Sequence, residues 1–304
     1  MCGIAGFMGP DVVSTEARPW LERMIHPLAH RGPDGFGFHA APSIGLAHAR
    51  LSIIDLSTGD QPIHNPRRTV WTVFNGEIFN FVELRQMLEA KGHQFYTQSD
   101  TEVIVHLYDR YGEDFVQHLN GQFAIALWDS ERQRLVLARD RAGIRPLYYT
   151  RQRGRLWFAS EVKSLLAVLP ECAHLEPQAL MQTLTYWAPV DPDTLYQGVQ
   201  SLPPGHVLSV ERDGRQHLRR YWDWTFPDAA DTSPARYPLT LDQATAELRE
   251  LLDPADDNRN WSVAGFHQLS ASAQVLRAPS TQKIIVGQIH GFDARPLVKL
   301  QWHK

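Results

Sequence analysis

The chain has 304 residues, 43% of them hydrophobic, enough for one large domain or two ordinary ones with a sizeable core. Thirty Lys and Arg against 34 Asp and Glu give a net charge of −4 with no basic block, which excludes the electrostatic footprint of a nucleic-acid binder. No run of about 18 apolar residues occurs, and Cys2 and Cys172 are the only cysteines, which excludes a disulfide framework and a four-cysteine metal site; a soluble, cytoplasmic chain with no membrane partner is the expectation.

In chain order, the opening MCGIAGFMGP has no basic leader before an apolar segment. Short apolar runs broken by Gly and Pro follow: IGLAHARLSII, TVWTVFN, GQFAIALWD, RLVLARD, LYYT, RLWFASE and HVLSVER. These predict the strands of a largely antiparallel sheet system. Two helices are predicted between them. NFVELRQMLEAKG places Phe81, Leu84 and Leu88 on one face and ends at Gly92, and TEVIVHLYDRYG ends at Gly112. The class is α+β. Residues 224–240 open with WTFPDAADTSPARYP, which has three Pro and no apolar period and predicts a linker. After it, Thr240 and Gln243 form a T-x-x-Q capping box, and Leu241, Ala244, Leu248, Leu251 and Leu252 repeat at helical spacing up to Pro254. The runs SASAQVL, KIIVGQIHG and LVKLQWH then predict a short β-rich end to the segment 241–304.

Chemistry is most explicit at Cys2. Removal of the initiator Met would leave a thiol and a free α-amine on one residue, with ordinary pKa values of about 8.5 and 8. The amine can then serve as the thiol's own base. The bland alternative is a small apolar residue starting an edge strand. Asn75 and Gly76, in NGE, offer a side-chain amide and an unencumbered backbone N–H, donors of the kind an oxyanion needs, although the dipeptide alone also reads as a tight hairpin turn. Arg50, Glu77 and Asp100 have the chemistry to grip an amino acid by its two charged ends. His26 and His30 stand four apart, but in the loop-like HRGPDG context they make no metal site, and no metal is expected. GFG at residues 35–37 lacks the strand-to-helix setting of a nucleotide fingerprint.

MCGIAGF, HRGPDG (30–35), ARLSIIDL (49–56), NGEIFN (75–80), SDTEV (99–103), LNGQFAIALWD (119–129) and RDRAGIRPLYY (139–149) occur in order. Together they closely resemble the class II glutamine amidotransferase domain of glutamine-hydrolysing asparagine synthetases, and the likeness runs over residues 2–223, through LPPGH and YWD. The resemblance implies an N-terminal-nucleophile fold, a four-layer αββα sandwich. It implies hydrolysis of glutamine to glutamate and ammonia through a thioester on Cys2, with the oxyanion hole at Asn75 and Gly76. It further implies a glutamine pocket of Arg50, Leu51, Ile53, Asn75, Gly76, Glu77 and Asp100, with Arg50 on the carboxylate and Asp100 and the NGE segment on the amino end. RDRAGIRPLYY and FASEVKSLL read as framework and an ammonia exit, with Asp140 and Arg141 as a structural pair.

In such synthetases an ATP-pyrophosphatase domain follows, entered by a Ser-Gly-Gly phosphate loop. Residues 224–304 have no such loop; Gly265, Gly287 and Gly291 stand singly. No cofactor is expected here, ATP and Mg²⁺ being needs of the absent synthetase domain. Ammonia would be released or passed in trans to such a domain, and a homodimer is compatible with this reading. From about Thr245 the text resembles instead a family-7 polysaccharide lyase, the alginate-lyase jelly roll, with Arg249, Gln288 and His290 on motif positions. That resemblance implies β-elimination of a uronate polysaccharide. Thr245 stands where that family has an arginine, the motif supplying a catalytic Tyr and Lys does not occur, and about 60 residues cannot close a jelly roll. No lyase activity is expected, and the shared text ATAELRELLD reads as the seam of a fusion. The remaining alternative is a non-catalytic interaction protein whose C-terminal strands pair with another chain.

Overall fold

A computed structural model describes residues 1–9, 14–225, 277–278 and 281–282. The chain divides into two compact units, Met1–Thr225 and Phe226–Lys304. In the first unit the elements run β1 (Gly3–Met8), α1 (Ser14–Ile25), β2 (Gly35–Ala41), β3 (Ile44–Arg50), β4 (Ile63–His64), β5 (Val70–Ile78), α2 (Phe81–Glu89), α3 (Glu102–Tyr111), β6 (Gly121–Asp129) and β7 (Arg134–Arg139). They continue as β8 (Tyr148–Gln152), β9 (Arg155–Ala159), α4 (Val162–Leu166), α5 (Pro177–Tyr186), β10 (Val199–Ser201), β11 (His206–Glu211) and β12 (Gln216–Arg220).

The strands form two six-stranded sheets, ordered β10, β8, β9, β1, β3, β2 and β12, β11, β7, β6, β5, β4, and every strand pairing is antiparallel. Why these strands read as unbroken apolar runs follows from burial on both faces, because successive side chains in a strand point to opposite sides. In β1, Ile4 and Met8 enter a core they share with Val73 of β5, Ala124, Ala126 and Trp128 of β6 and Leu135 and Leu137 of β7; this core lies between the sheets. Ala5 and Phe7, of the opposite parity, pack with Ala17, Leu21 and Met24 of α1 and Leu165 of α4. On the far side of the other sheet, Phe74, Ile78, Phe123, Ile125 and Leu127 pack against Leu84 and Leu88 of α2 and Val103, Ile104 and Leu107 of α3. The layers are therefore helix, sheet, sheet, helix, as the family resemblance implies.

Several expectations change in detail. β1 is an interior strand between β9 and β3, so Cys2 begins no edge. The strand expected over IGLAHARLSII stops at Arg50, because Asp55 folds residues 51–60 into a loop by accepting hydrogen bonds from Thr58 N at 2.8 Å, from the Thr58 hydroxyl and from Gln98 N at 2.7 Å. Asn75 and Gly76 lie inside β5, opposite Ala124 and Phe123, and form no hairpin turn. Asp140 does not pair with Arg141. Its carboxylate accepts from the backbone N–H groups of Phe123, Ala142, Ile144 and Arg145 at 2.9–3.1 Å and so organises the loop after β7. In the second unit, β13 (Arg277–Ala278) pairs antiparallel with β14 (Thr281–Gln282). The helix expected from Thr240, the linker beyond Thr225, the run SASAQVL and residues Arg249, Gln288 and His290 lie outside the described residues.

Candidate functional site

Strand register brings the predicted residues together. Gly3 pairs with Ala49 and Ile4 with His48, so Cys2 stands beside Arg50 at the ends of two neighbouring strands, with the parity of the residues that face the other sheet. From that other sheet Asn75 has the parity of Val73, which also enters the inter-sheet layer. The Cys2 thiol is pinned to one residue: Sγ donates to the Leu51 carbonyl at 3.6 Å and accepts from Leu51 N at 3.4 Å. Burial pushes the thiol pKa up, and the Leu51 hydrogen bond, the terminal ammonium and Arg50 oppose that push. Met1 is 54% exposed, within reach of an aminopeptidase, and its ammonium is held below its ordinary value by burial.

Asn75 is 1% exposed, and neither its Nδ2 nor its Oδ1 has a partner. A buried amide that satisfies nothing costs stability and marks a place where a ligand oxygen would be welcome. Gly76 has a steric reason. A Cβ there would lie 2.0 Å from the Gln122 carbonyl oxygen, so only glycine lets β5 approach β6 this closely. Arg50 is buried, with its guanidinium on the Asp60 carboxylate and the Asp55 carbonyl. Asp60 itself has a side chain 84% exposed, a partner that solvent or a competing carboxylate can replace. Asp100 is buried and accepts from Ile78 N at 3.0 Å and from the Ser99 hydroxyl at 3.4 Å. Burial raises its pKa to about 6 against the pull of those bonds. Glu77 is exposed, Leu51 half-buried and Ile53 73% exposed.

Three charged residues to which the sequence reading gives no site role, Glu161 and Arg145 lying in segments read as framework, join the site. Arg31, inside HRGPDG, donates from Nε to the Cys2 carbonyl at 2.9 Å and from Nη1 to Glu161 at 2.8 Å. Glu161, inside FASEVKSLL, also binds Lys163 at 2.8 Å and His30 at 3.1 Å; burial opposes ionisation there, but the Lys163 and Arg31 contacts prevail and hold its pKa at about 2. Arg145 is pushed below its ordinary pKa by burial and by Arg31, with Asp140, Glu77 and Cys2 opposing the push, and its Nε has no partner. Each lies inside a family motif, but the distance of 130 positions between Arg31 and Glu161 hides the pairing in the sequence. Among the described residues no cluster of three or more His, Cys, Asp or Glu could hold a metal ion, and no helix is long and apolar enough to cross a membrane.

The profile of the glutamine amidotransferase domain matches residues 1–222. The chain belongs to this family. Among curated relatives, the amidase chyE of Penicillium rubens is 39% identical over 241 residues, 75% of this chain and 35% of its own. Asparagine synthetase [glutamine-hydrolyzing] 1 of Bacillus subtilis is 37% identical over 228 residues, 74% of this chain and 36% of its own, and the Zea mays asparagine synthetase is 46% identical over 237 residues, 77% and 35%. The amidotransferase thus spans little more than a third of the length of these relatives. Of solved structures, the B. subtilis glutamine phosphoribosylpyrophosphate amidotransferase aligns with a TM-score of 0.54 at 22% identity, covering 73% of this chain and 49% of that one, which shows a shared fold. The alginate lyase profile matches residues 241–304.

Proposed function

We propose that this class II amidotransferase domain hydrolyses glutamine to glutamate and ammonia on Cys2. Once Met1 is removed, the Cys2 amine takes the thiol proton and sulfur attacks the side-chain amide carbon of glutamine. The carbon–nitrogen bond breaks, the amine returns the proton to the departing nitrogen, and ammonia leaves a thioester that water hydrolyses to glutamate and free thiol. Asn75 Nδ2 and the Gly76 N–H receive the oxyanion, Arg50 exchanges Asp60 for the substrate α-carboxylate, and Asp100 with Glu77 takes the α-ammonium beside Leu51 and Ile53. The unpartnered, buried Asn75 amide, which by strand parity faces the inter-sheet layer toward which Cys2 also points, carries this reading.

Arg31 would fix the nucleophile's main chain, because its Nε holds the Cys2 carbonyl. No cofactor enters these steps. Ammonia passes to an acceptor domain of the synthetase type, to which ATP and Mg²⁺ belong. Ammonia release from glutamine should disappear in Cys2→Ala and in protein that retains Met1, as read by coupled ammonia detection and intact mass. Ammonia from both altered proteins at the wild-type rate would reject the mechanism.

A further inference from the structure

The chain between α2 and α3 carries Asp100 and has no regular structure of its own, so its backbone N–H groups need partners from side chains. Glu102, the first residue of α3 and fully buried, folds back over this segment and supplies two of them, to Tyr96 and Thr97. Its carboxylate accepts from Tyr96 N at 3.0 Å, from Thr97 N at 2.7 Å and from the Thr97 hydroxyl at 2.6 Å. That hydroxyl in turn accepts from Ser99 N at 3.2 Å, and the Ser99 hydroxyl reaches Asp100 at 3.4 Å. The middle of the segment is tied to the Arg50 side of the site, because Gln98 N donates to Asp55, whose carbonyl receives the Arg50 guanidinium. One short segment therefore spans the groups assigned to both charged ends of glutamine.

Glu102 is itself held from behind. His106, one helical turn on and buried, offers Nε2 to Glu102 Oε1 at 3.3 Å, while its Nδ1 lies 3.1 Å from Nδ1 of His93. Two facing Nδ1 atoms can share only one proton. With Nε2–H of His106 committed to a carboxylate, His93 donates its Nδ1–H, and each ring fixes the tautomer of the next. The Phe95 ring, 4.3 Å from the His106 ring, closes the side, and Asp109, Arg110 and Lys91 are the charged groups around His93. Burial opposes ionisation of Glu102, but the bonds from His106, Thr97 and Tyr96 outweigh it and hold the pKa below the usual carboxylate range. Its place at the start of α3 favours negative charge as well.

We propose that Glu102, oriented by the His106–His93 pair, is a positioning residue for glutamine recognition, holding residues 96–100 so that Asp100 meets the α-ammonium group. This inference rests on the glutamine-hydrolysing reading above. Glu102 touches no reacting atom, so its loss should act on binding and leave the chemistry at sulfur alone. In Glu102→Gln an NH₂ group replaces one acceptor among four donors, at unchanged volume.

The test uses the full chain with Met1 removed, follows ammonia release, and measures the rate at which iodoacetamide alkylates Cys2 with and without glutamine. In Glu102→Gln the KM for glutamine should rise about tenfold, as expected for weakening a charge-assisted contact, with kcat within about twofold. The glutamine concentration that half-protects Cys2 should rise by the same factor, and alkylation without glutamine should be unchanged. His106→Gln, which keeps a donor to Glu102 but lets go of His93, should give a smaller rise of about threefold and serves where Glu102→Gln fails to fold. An unchanged KM in folded variants overturns the inference, as does a fall in kcat with KM unmoved or a parallel loss of alkylation without glutamine. A wild type that neither releases ammonia nor is protected by glutamine overturns the hydrolytic reading along with it, an outcome distinct from an active wild type matched by its variants.

Discussion

Asn75 separates two jobs that a buried polar residue can have. Were it structural, its amide would be satisfied by neighbours, and removing it would chiefly cost stability; here both of its polar atoms lack partners in the free protein. Stability should therefore be unharmed or slightly improved by Asn75→Ala, while kcat for glutamine should fall by about 10²–10³ with KM little changed. Steady-state kinetics alongside urea denaturation would check both halves, and a fall in stability with kcat intact would contradict the assignment. Cys2, Asn75 and Gly76 are legible in the sequence as candidates because of their own chemistry, and Arg50 and Asp100 through the family motifs they sit in. Arg31, Glu161 and Arg145 are not, since their meaning lies in mutual contacts across the fold.

At the scale of elements, the approach of β5 to β6 sets the position of the proposed oxyanion donors. Gly76 faces Phe123 across the ladder, and any side chain there would strike the Gln122 carbonyl and the Phe123 Cα. Gly76→Ala should destabilise the domain by about 1–3 kcal/mol, the usual cost of forcing an atom into a packed interior. It should also lower kcat, because the strand must shift by the width of a methyl group and carry Asn75 with it. Chemical denaturation and glutamine turnover measured on one preparation would check this, and wild-type values in both would refute the packing argument. The helices α2 and α3 and most strands of the core follow from apolar periodicity. The helices α1, α4 and α5 and the strands β1, β2, β4, β10 and β12 are not predicted by the sequence pattern. α1 contains Pro19, α4 is five residues long and β2 alternates small and aromatic residues around two glycines, so their local patterns are weak and burial in the layers decides them.

For the whole molecule, the pH dependence of stability follows from groups the layered fold keeps from their usual charge state. His48, on the inter-sheet side of β3, is pushed by burial and by Arg50 down to about 3, and His39, stacked on Trp71 at 3.9 Å, is pushed by burial and by His64 down to about 4. Both are neutral in the fold, whereas the unfolded chain protonates them near pH 6.5. Their contribution is present above that pH and is lost as pH falls through 6 toward 4. Asp100 works the other way. Its pKa, raised to about 6, favours the protonated fold as pH falls from 6 to the ordinary carboxylate range. Two histidine protons set against one carboxyl proton make these three groups together lower stability by roughly 1.4 kcal/mol per pH unit over that window, and Glu161, whose folded pKa is held at about 2, adds to the loss near pH 4. His39→Phe, which can keep the stack on Trp71, should flatten the slope; urea midpoints at pH 7, 6, 5 and 4 would read it, and an unchanged slope would contradict the assignment.

The sequence by itself determined the α+β class and offered the proposed nucleophile, and its resemblance to the family supplied the motif residues of the proposed glutamine pocket. The class is encoded by apolar periodicities of two and of about 3.6 and the candidate nucleophile by its place after Met1, signals that survive without any knowledge of neighbours. Only the tertiary structure decided that Cys2 ends an interior strand, that NGE is strand and not turn, that Asp140 gathers a loop and that Arg31 holds the Cys2 carbonyl. Each of these depends on which distant backbone or charge comes within about 3 Å, and hydrogen bonds act only at such distances.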